Sequence, residues 1–343
     1  MSALRDAVHA LVGGRALSED EAFLAMGDVM SGTASDALIA AFLTALRLRG
    51  ETTDELVGAA RALRARVIPV VHELPLVLDT CGTGGDGAQT FNVSTAVAFV
   101  CAAAGVPVAK HGNRAVSSRV GSADVLEALG ARLELGPDRI GACLAEVGFC
   151  FMFAPHHHGA LRHAGPVRRE LGFRTMMNLL GPLANPAGAT HQLLGLFDGG
   201  RLAQIAEVAT RLGVRRGLVV HGPGGLDELG LDGPSAAAMI GTATIGVPTI
   251  DPRALGLGPG SPEALRGGDA ATNAAIIRRI FAGETGAAAD IVALNAGAAL
   301  WVAEAAASIA DGVARAQETL ASGRAAATLD RFIAYTHAHG GAT

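Results

Sequence analysis

Between Ser35 and Arg49 the apolar residues Leu38, Ile39, Phe42, Leu43 and Leu46 recur at steps of three and four, the period of one buried helix face. Ahead of them, Ser18-Glu-Asp-Glu21 stands directly before Ala22-Phe23-Leu24, a capping box that opens another helix. Thr53-Asp-Glu-Leu starts a further one, ending near Arg66. Residues 1–67 therefore read as helices alone, and Pro69 and Pro75 bracket a linker. Beyond it the pattern changes. Short apolar runs predict strands at 76–80, 107–110, 132–135 and 149–153, separated by helices at 94–104, 122–129 and 137–147. A segment rich in His and Arg follows, then a helical stretch over 166–180. Strands near 193–197 and 217–221 flank a helix at 201–212, and 231–251 reads as short β elements. After a loop rich in Gly and Pro, from Leu255 to Pro262, helices over 270–282, 287–310 and 325–338 close the chain. Alternating strands and helices imply a mostly parallel sheet covered on both faces, so the fold class is α/β with a small helical unit in front.

Composition narrows the function more than the fold. With 343 residues, half of them hydrophobic and 17% charged, the chain has the length for two domains and the apolar content for a large core. Aromatic residues make up 4%, which leaves few platforms for stacked bases, and a net charge of −5 argues against a dedicated nucleic-acid binder. Cys81, Cys101, Cys143 and Cys150 form no Cys-x-x-Cys pair and no zinc spacing. Cys101 and Cys143 read as small core residues, and Cys81 as a small residue at a strand end in preference to a nucleophile. Reduced thiols fit a cytosol. The N-terminal Met-Ser-Ala-Leu-Arg-Asp-Ala lacks the apolar stretch of a signal peptide, and the longest apolar run, Val93 to Ala109, is interrupted by Ser94, Thr95, Gly105 and Pro107. The expected location is the cytoplasm.

The densest chemistry lies at residues 79–95. An apolar strand leads into Gly82, Gly84, Gly85 and Gly87, and the apolar helix from Ala96 follows. Glycines bring backbone N–H groups close to a ligand, and a helix start adds unpaired donors and the positive end of a dipole. Together they make a phosphate site. Gly82-x-Gly84-x-x-Gly87 also fits the dinucleotide fingerprint. That reading needs an acidic residue about 20 positions on, where Lys110 stands instead. No Lys-Ser/Thr follows the glycines, so a P-loop is excluded too. Asp86 inside the loop would repel pyrophosphate unless it meets a hydroxyl, an N–H or a metal ion.

Two further segments end predicted strands. Lys110-His-Gly-Asn-Arg114 is followed by Ser117, Ser118 and Ser122, a set of cations and hydroxyls suited to phosphate oxygens. Ligands in open α/β sheets bind outside the C-terminal ends of strands, so this segment and the glycine loop should share one crevice. His221-Gly-Pro-Gly-Gly-Leu-Asp227-Glu228 brings two carboxylates after a glycine-rich turn. Alone it reads equally as a solvated acidic turn. Beside a phosphate cradle it favours magnesium, which binds through one or two carboxylates plus substrate phosphates. His156, His157 and His158 are consecutive and cannot converge on one zinc ion in regular structure. Metalloprotease and nucleophile-elbow motifs are absent from the sequence.

Taken together, Gly82-Thr-Gly-Gly-Asp-Gly, Asn92-Val-Ser-Thr95, Lys110 to Ser118, Gly121 to Gly130, Arg174-Thr, Asn178-Leu-Leu-Gly-Pro182 and Leu226-Asp-Glu228 resemble the anthranilate phosphoribosyltransferase family. The resemblance runs almost end to end and includes Gly267-Gly-Asp269 and Leu294-Asn-Ala296. It implies a nucleoside-phosphorylase-type fold. Residues 1–70 would form a helical domain, rejoined by roughly 166–185, and 71–165 with 186–343 would form the α/β domain that binds phosphoribosyl diphosphate. The implied reaction joins anthranilate to 5-phosphoribosyl 1-diphosphate, releasing diphosphate, in tryptophan biosynthesis. The implied sugar-diphosphate contacts are Gly82, Gly85, Asp86, Thr90, Asn92, Val93, Ser94 and Thr95 from the first loop. Lys110, His111, Gly112, Asn113, Arg114, Ala115, Val116, Ser117, Ser118 and Ser122 are those from the second. Gly82, Asn113 and Arg168 would meet anthranilate. Ser94, Asp227 and Glu228 would hold magnesium, two ions per monomer, and the assembly would be a homodimer. No dedicated acid or base is implied, in keeping with an aromatic amine already neutral at pH 7. His157 stands where an aromatic residue is more usual, and Gly230 where serine is common. Two rivals share the fold: a pyrimidine-nucleoside phosphorylase, which would lack the Lys110–Arg114 run beside Asp227-Glu228, and a non-catalytic nucleic-acid-binding relative, which would need a basic surface.

Overall fold

A computed structural model describes residues 2–85, 87–115, 120–241 and 249–340. Four helices come first: α1 (Ala3–Val12), α2 (Glu19–Ser31), α3 (Asp36–Arg49) and α4 (Thr53–Arg64). The capping box at Ser18 and Glu21 forms as expected, and Thr52 with Glu55 makes a second at the start of α4. A βα pattern follows: β1 (Leu78–Gly82), α5 (Val93–Ala103), β2 (Val108–Gly112), α6 (Ser122–Ala128), α7 (Pro137–Val147) and β3 (Phe149–Phe153). The chain then turns through α8 (Ala154–His157), α9 (Gly165–Leu171) and α10 (Met177–Leu180) and re-enters the sheet with β4 (His191–Gly195). It continues as α11 (Leu202–Arg211), β5 (Arg216–His221), β6 (Ser235–Gly241) and β7 (Thr249–Ile250). Helices α12 (Ala270–Phe281), α13 (Ala287–Val302), α14 (Ile309–Ala321) and α15 (Arg324–His339) end it.

The sheet has seven strands in the order β3-β2-β1-β4-β5-β6-β7. The first five of that order run parallel, and β6 and β7 add an antiparallel edge. Both faces are buried, and the strands alternate between two cores. Leu193, Leu218 and Val220 join α5, α13 and α15 in one. Leu194, Val219 and Ile240 join α1–α4 and α11 in the other. The second core also takes Val167, Met176, Leu179, Leu180 and Leu183 from the segment between β3 and β4. Helix α11 is tied to the N-terminal helices by Arg211, which pairs with Glu19 at 2.6 Å and Asp54 at 2.7 Å.

Three expectations need correction. Residues 132–135 form no strand. Leu133 and Leu135 are buried and Arg132 and Glu134 exposed, the alternation that predicts one. However, the backbone of Arg132 donates to Thr336 Oγ1 on α15, so the segment lies on the core without a ladder partner. The helix expected over 287–310 ends at Val302. Glu304 takes a positive φ of 58°, and Ser308 caps a separate helix, α14. The stretch over 166–180 is two short helices, because Gly172 ends α9 in the left-handed conformation.

Candidate active site

From β1 the chain moves outward to β2 and β3, then returns on the other side of β1 with β4. Strand order reverses at β1 and β4, the place where open α/β sheets leave a crevice beyond their C-terminal ends. A cleft of about 430 Å³ lies there, in the range that holds a small substrate.

The first loop forms one wall. Gly84, Gly85 and Gly87 hold φ of 70°, 74° and 76°, a region where a side chain is strained. Gln89, at φ 55°, carries that strain at the cleft. Gly82, Gly85 and Thr90 line the wall, and Asn92, Val93, Ser94 and Thr95 continue it into the first turn of α5. Among the described residues no side chain caps α5, so its dipole end opens on the cleft. Asp86 lies outside the described residues.

The second wall follows β2. Lys110 is 2% exposed, and its ammonium donates to the Thr80 carbonyl at 2.6 Å and to Ser94 Oγ at 3.1 Å. Its charge therefore works from beneath the first loop. Asp79 is fully buried beside it. Burial raises the carboxyl above the usual range, and the charge of Lys110 acts against that rise. Burial also holds His111 neutral, its pKa well below the ordinary value, with its ring 4.8 Å from that of His158. At Gly112 a Cβ would lie 2.0 Å from Ser122 Oγ, so glycine is what lets Ser122 reach the end of β2. His111, Gly112, Asn113, Arg114 and Ser122 line the cleft with Lys110. The guanidinium of Arg114 already pairs with Glu127 at 2.5 Å and Asp124 at 3.2 Å, so phosphate would compete with two carboxylates for it. Ala115 donates its N–H to Asp124 Oδ2 at 3.0 Å and is not among the lining residues. Val116, Ser117 and Ser118 lie outside the described residues.

The acidic loop after β5 crosses the ends of β1 and β4. Gly82 and Gly195 are register partners on those strands. A Cβ at Gly82 would sit 2.2 Å from Asp227 Oδ2, and one at Gly195 would sit 1.5 Å from the Asp227 carbonyl oxygen. The two glycines thus form the seat of Asp227, whose Oδ2 accepts the N–H of Gly84 at 2.6 Å. Asp227 and Glu228 are both buried and both line the cleft, across from Ser94. Gly230 leaves room for Pro223, whose Cδ would be 2.8 Å from a Cβ there. Ser94, Asp227 and Glu228 offer hard oxygen donors and no nitrogen or sulfur, the set magnesium prefers. Among the described residues no group of three or more His, Cys, Asp and Glu could hold an ion alone, so phosphate oxygens would have to complete the shell.

Other residues fall elsewhere. Arg168 is half-buried on α9, not among the cleft's lining residues, and no described side chain pairs with it. His157 is buried, with Nδ1 2.7 Å from the Ile68 carbonyl. Burial drives the Cys81 thiol well above its usual range, so it is no thiolate nucleophile. Sequence reasoning passed over Asn273 on α12, 2% exposed, which donates to Asn92 Oδ1 at 2.9 Å and accepts from Gly268 N at 2.7 Å. It ties Gly267-Gly-Asp269, noted in sequence only as a match, to the phosphate cradle.

Comparison with known proteins agrees across nearly all of the chain. A family model described as the glycosyl transferase family a/b domain matches residues 74–326, and the helical bundle domain of the same family matches residues 5–67. The anthranilate phosphoribosyltransferase of Rubrobacter xylanophilus is 52% identical over 331 residues, covering 96% of each chain. That of Moorella thermoacetica is 51% identical over 332 residues, covering 97% of this chain and 98% of its own. The crystal structure of the enzyme from Thermus thermophilus superimposes with a TM-score of 0.93 at 47% identity, covering 98% of this chain and all of that one. The Saccharomyces cerevisiae enzyme in complex with phosphoribosyl diphosphate and magnesium gives 0.89 at 25% identity, covering 98% of both.

Proposed function

This chain belongs to the anthranilate phosphoribosyltransferase family and transfers the phosphoribosyl group of 5-phosphoribosyl 1-diphosphate to the amino group of anthranilate in tryptophan biosynthesis; we propose that the cleft between the glycine loop and the acidic loop is where it does so. The observation that carries this is the seat of Asp227 on Gly82 and Gly195, which aims a buried carboxylate pair at a phosphate cradle.

In this reading the first loop, from Gly82 and Gly85 through Asp86 and Thr90 to Asn92–Thr95, holds the sugar diphosphate. Lys110–Ser118 and Ser122 close on it from the other side. Displacement at the anomeric carbon builds positive charge on the ribose and negative charge on the leaving diphosphate. Backbone N–H groups at the glycines and the start of α5 are fixed donors for that negative charge. Magnesium, held by Ser94, Asp227 and Glu228 as two ions per monomer, supplies further charge neutralisation. The amine of anthranilate needs no strong base, and much of the rate comes from holding two substrates in line. Gly82, Asn113 and Arg168 receive anthranilate. Arg168 is not among the cleft's lining residues and has no partner side chain among the described residues, so its part requires α9 and the cleft to approach one another.

The domain division we favour is 1–70 with roughly 166–185, and 71–165 with 186–343. In its favour, Met176–Leu183 shares an apolar core with α1–α4, a core that also takes in α11 and one face of the sheet. A homodimer is the assembly the family resemblance implies, and Val12 and Leu48, both largely exposed on packed helices α1 and α3, are apolar surface a second copy would cover. No helix among the described residues is long and apolar enough to cross a membrane. The support for a cytoplasmic location is the four free, buried cysteines.

The test is consumption of fluorescent anthranilate with phosphoribosyl diphosphate and magnesium, read beside thermal stability. A ligand that binds only the folded state raises the melting temperature. Magnesium with phosphoribosyl diphosphate should raise it more than either alone. Thymidine or uridine with phosphate, and single-stranded DNA, should do little. Strong stabilisation by a nucleoside or by DNA, with none from phosphoribosyl diphosphate, would transfer the assignment to the corresponding rival.

A further inference from the structure

We infer that Asn295, on a helix that never reaches the cleft, is a positioning residue for the metal-binding pair; the inference rests on the magnesium role of Asp227 and Glu228 proposed above. Helix α13 is buried along most of its length, and from Ile291 to Val302 every residue but Asn295 is apolar or glycine. Asn295 itself is completely buried. A polar side chain in such a place is costly unless fully hydrogen-bonded. It is: Oδ1 accepts the N–H of Leu229 at 2.9 Å, and Nδ2 donates to the Leu229 carbonyl at 2.9 Å and to the Ile291 carbonyl at 2.9 Å.

The first two bonds take both polar groups of one residue's backbone, and that residue directly follows Glu228. The amide acts as a substitute strand, gripping the acidic loop at a fixed height and angle. The loop has other anchors. Gly222 N donates to the Leu226 carbonyl at 2.8 Å, and Gly230 N donates to Ser235 Oγ at 3.0 Å. These close the loop on itself and on β6. Asn295 alone among these joins it to α13, in the core that also buries Leu229. At the far end, Asp227 Oδ2 meets the N–H of Gly84. The acidic pair is therefore held between the glycine loop and α13. Magnesium sites depend on such outer partners, because carboxylates on a loosened loop spend their binding free energy on becoming ordered.

The experiment uses manganese(II) as the spectroscopic probe. Bound and free ion are counted by electron paramagnetic resonance, with the full chain and saturating phosphoribosyl diphosphate. Asn295→Ala and Asn295→Asp are compared with Leu300→Ala, a cavity on the same helix. Outer partners of metal ligands typically contribute about 10–100-fold to metal affinity, and the expected loss in the Asn295 variants is at least about tenfold. Leu300→Ala should lower the melting temperature and leave manganese affinity unchanged. Asn295→Asp keeps the acceptor for Leu229 N–H, so should one variant fail to fold, the other decides. Unchanged manganese affinity in a folded Asn295 variant, or an equal loss in Leu300→Ala, overturns the positioning role. Asp227→Asn and Glu228→Gln are measured in parallel. If they too leave manganese binding intact, it is the metal assignment that fails, and Asn295 loses its role with it.

Discussion

The ammonium of Lys110 donates to the hydroxyl of Ser94, 3.1 Å away, from a position beneath the glycine loop. The same ammonium meets the Thr80 carbonyl, and Asp79 is buried beside it. A cation that the sequence offers to phosphate directly is thus also the group that orients Ser94, the metal ligand proposed above, and lies beside a buried carboxyl group.

This makes two separable predictions. Lys110→Met should lower turnover at limiting magnesium, and it should destabilise the fold by about 1–3 kcal/mol, since it leaves buried polar groups without a partner. Adding Asp79→Asn should return stability, measured by urea unfolding, without returning turnover. Recovery of both in the double variant would mean that Lys110 serves only to balance Asp79.

Gly82→Ala tests the seat of Asp227. The added methyl would lie 2.2 Å from Oδ2 and 2.8 Å from the carboxyl carbon, and the carboxylate has to move. Magnesium affinity should fall about tenfold or more, as when a ligand's support is removed. Titration calorimetry with magnesium and phosphoribosyl diphosphate checks it. Wild-type affinity in this variant would mean that Asp227 is not a ligand.

Arg168 separates acceptor from donor. Arg168→Ala should raise the KM for anthranilate by roughly ten- to a hundred-fold, the loss of one charge-assisted pair, and leave that for phosphoribosyl diphosphate nearly unchanged. Steady-state kinetics with each substrate varied in turn decides. Equal losses would make Arg168 a structural residue of α9.

Stability should fall on mild acidification. Burial holds His111 and His157 below their ordinary pKa, and lowers His158 to about 4, with the charge of His157 adding to the effect. In the unfolded chain each takes up its proton near pH 6.5, before the folded form does. As pH drops below about 6.5 the unfolded state therefore binds more protons, and each histidine removes up to roughly 1.4 kcal/mol per pH unit until the pH reaches its own folded-state pKa, about 4 for His158. Urea unfolding at several pH values should show that slope, and His157→Phe should reduce it. A flat profile down to about pH 5 would show that the cluster titrates alike in both states.

What the sequence made legible was local. The glycine loop, Lys110–Arg114 and Asp227-Glu228 are contiguous runs whose residue types state their chemistry, and all three meet at the ends of β1, β2 and β5. Asn273 gave no such signal, and Asp79 and Asn295 fell inside quoted runs without any sign of what they do. Each acts through a partner that lies far away in the chain. The strand wrongly expected at 132–135 has the same cause. Alternating burial is recorded in the residues, but whether a neighbouring strand exists to pair with is not. Arg114 illustrates the remaining gap: two acidic residues on α6 claim it, a helix-to-loop relation invisible in the loop alone.

The core shared by α1–α4 and Met176–Leu183 also bears on how the protein is made. The first four helices leave the ribosome long before the segments that complete their packing, Met176–Leu183 and then α11 with one face of the sheet. In the interval β1, β2 and β3 are synthesised, and the apolar face awaiting Met176, Leu179 and Leu180 stays uncovered. An N-terminal fragment stopped at the linker after α4 would carry that face permanently. The order of synthesis thus puts β1, β2 and β3 ahead of the segments that finish covering the helices in front of them.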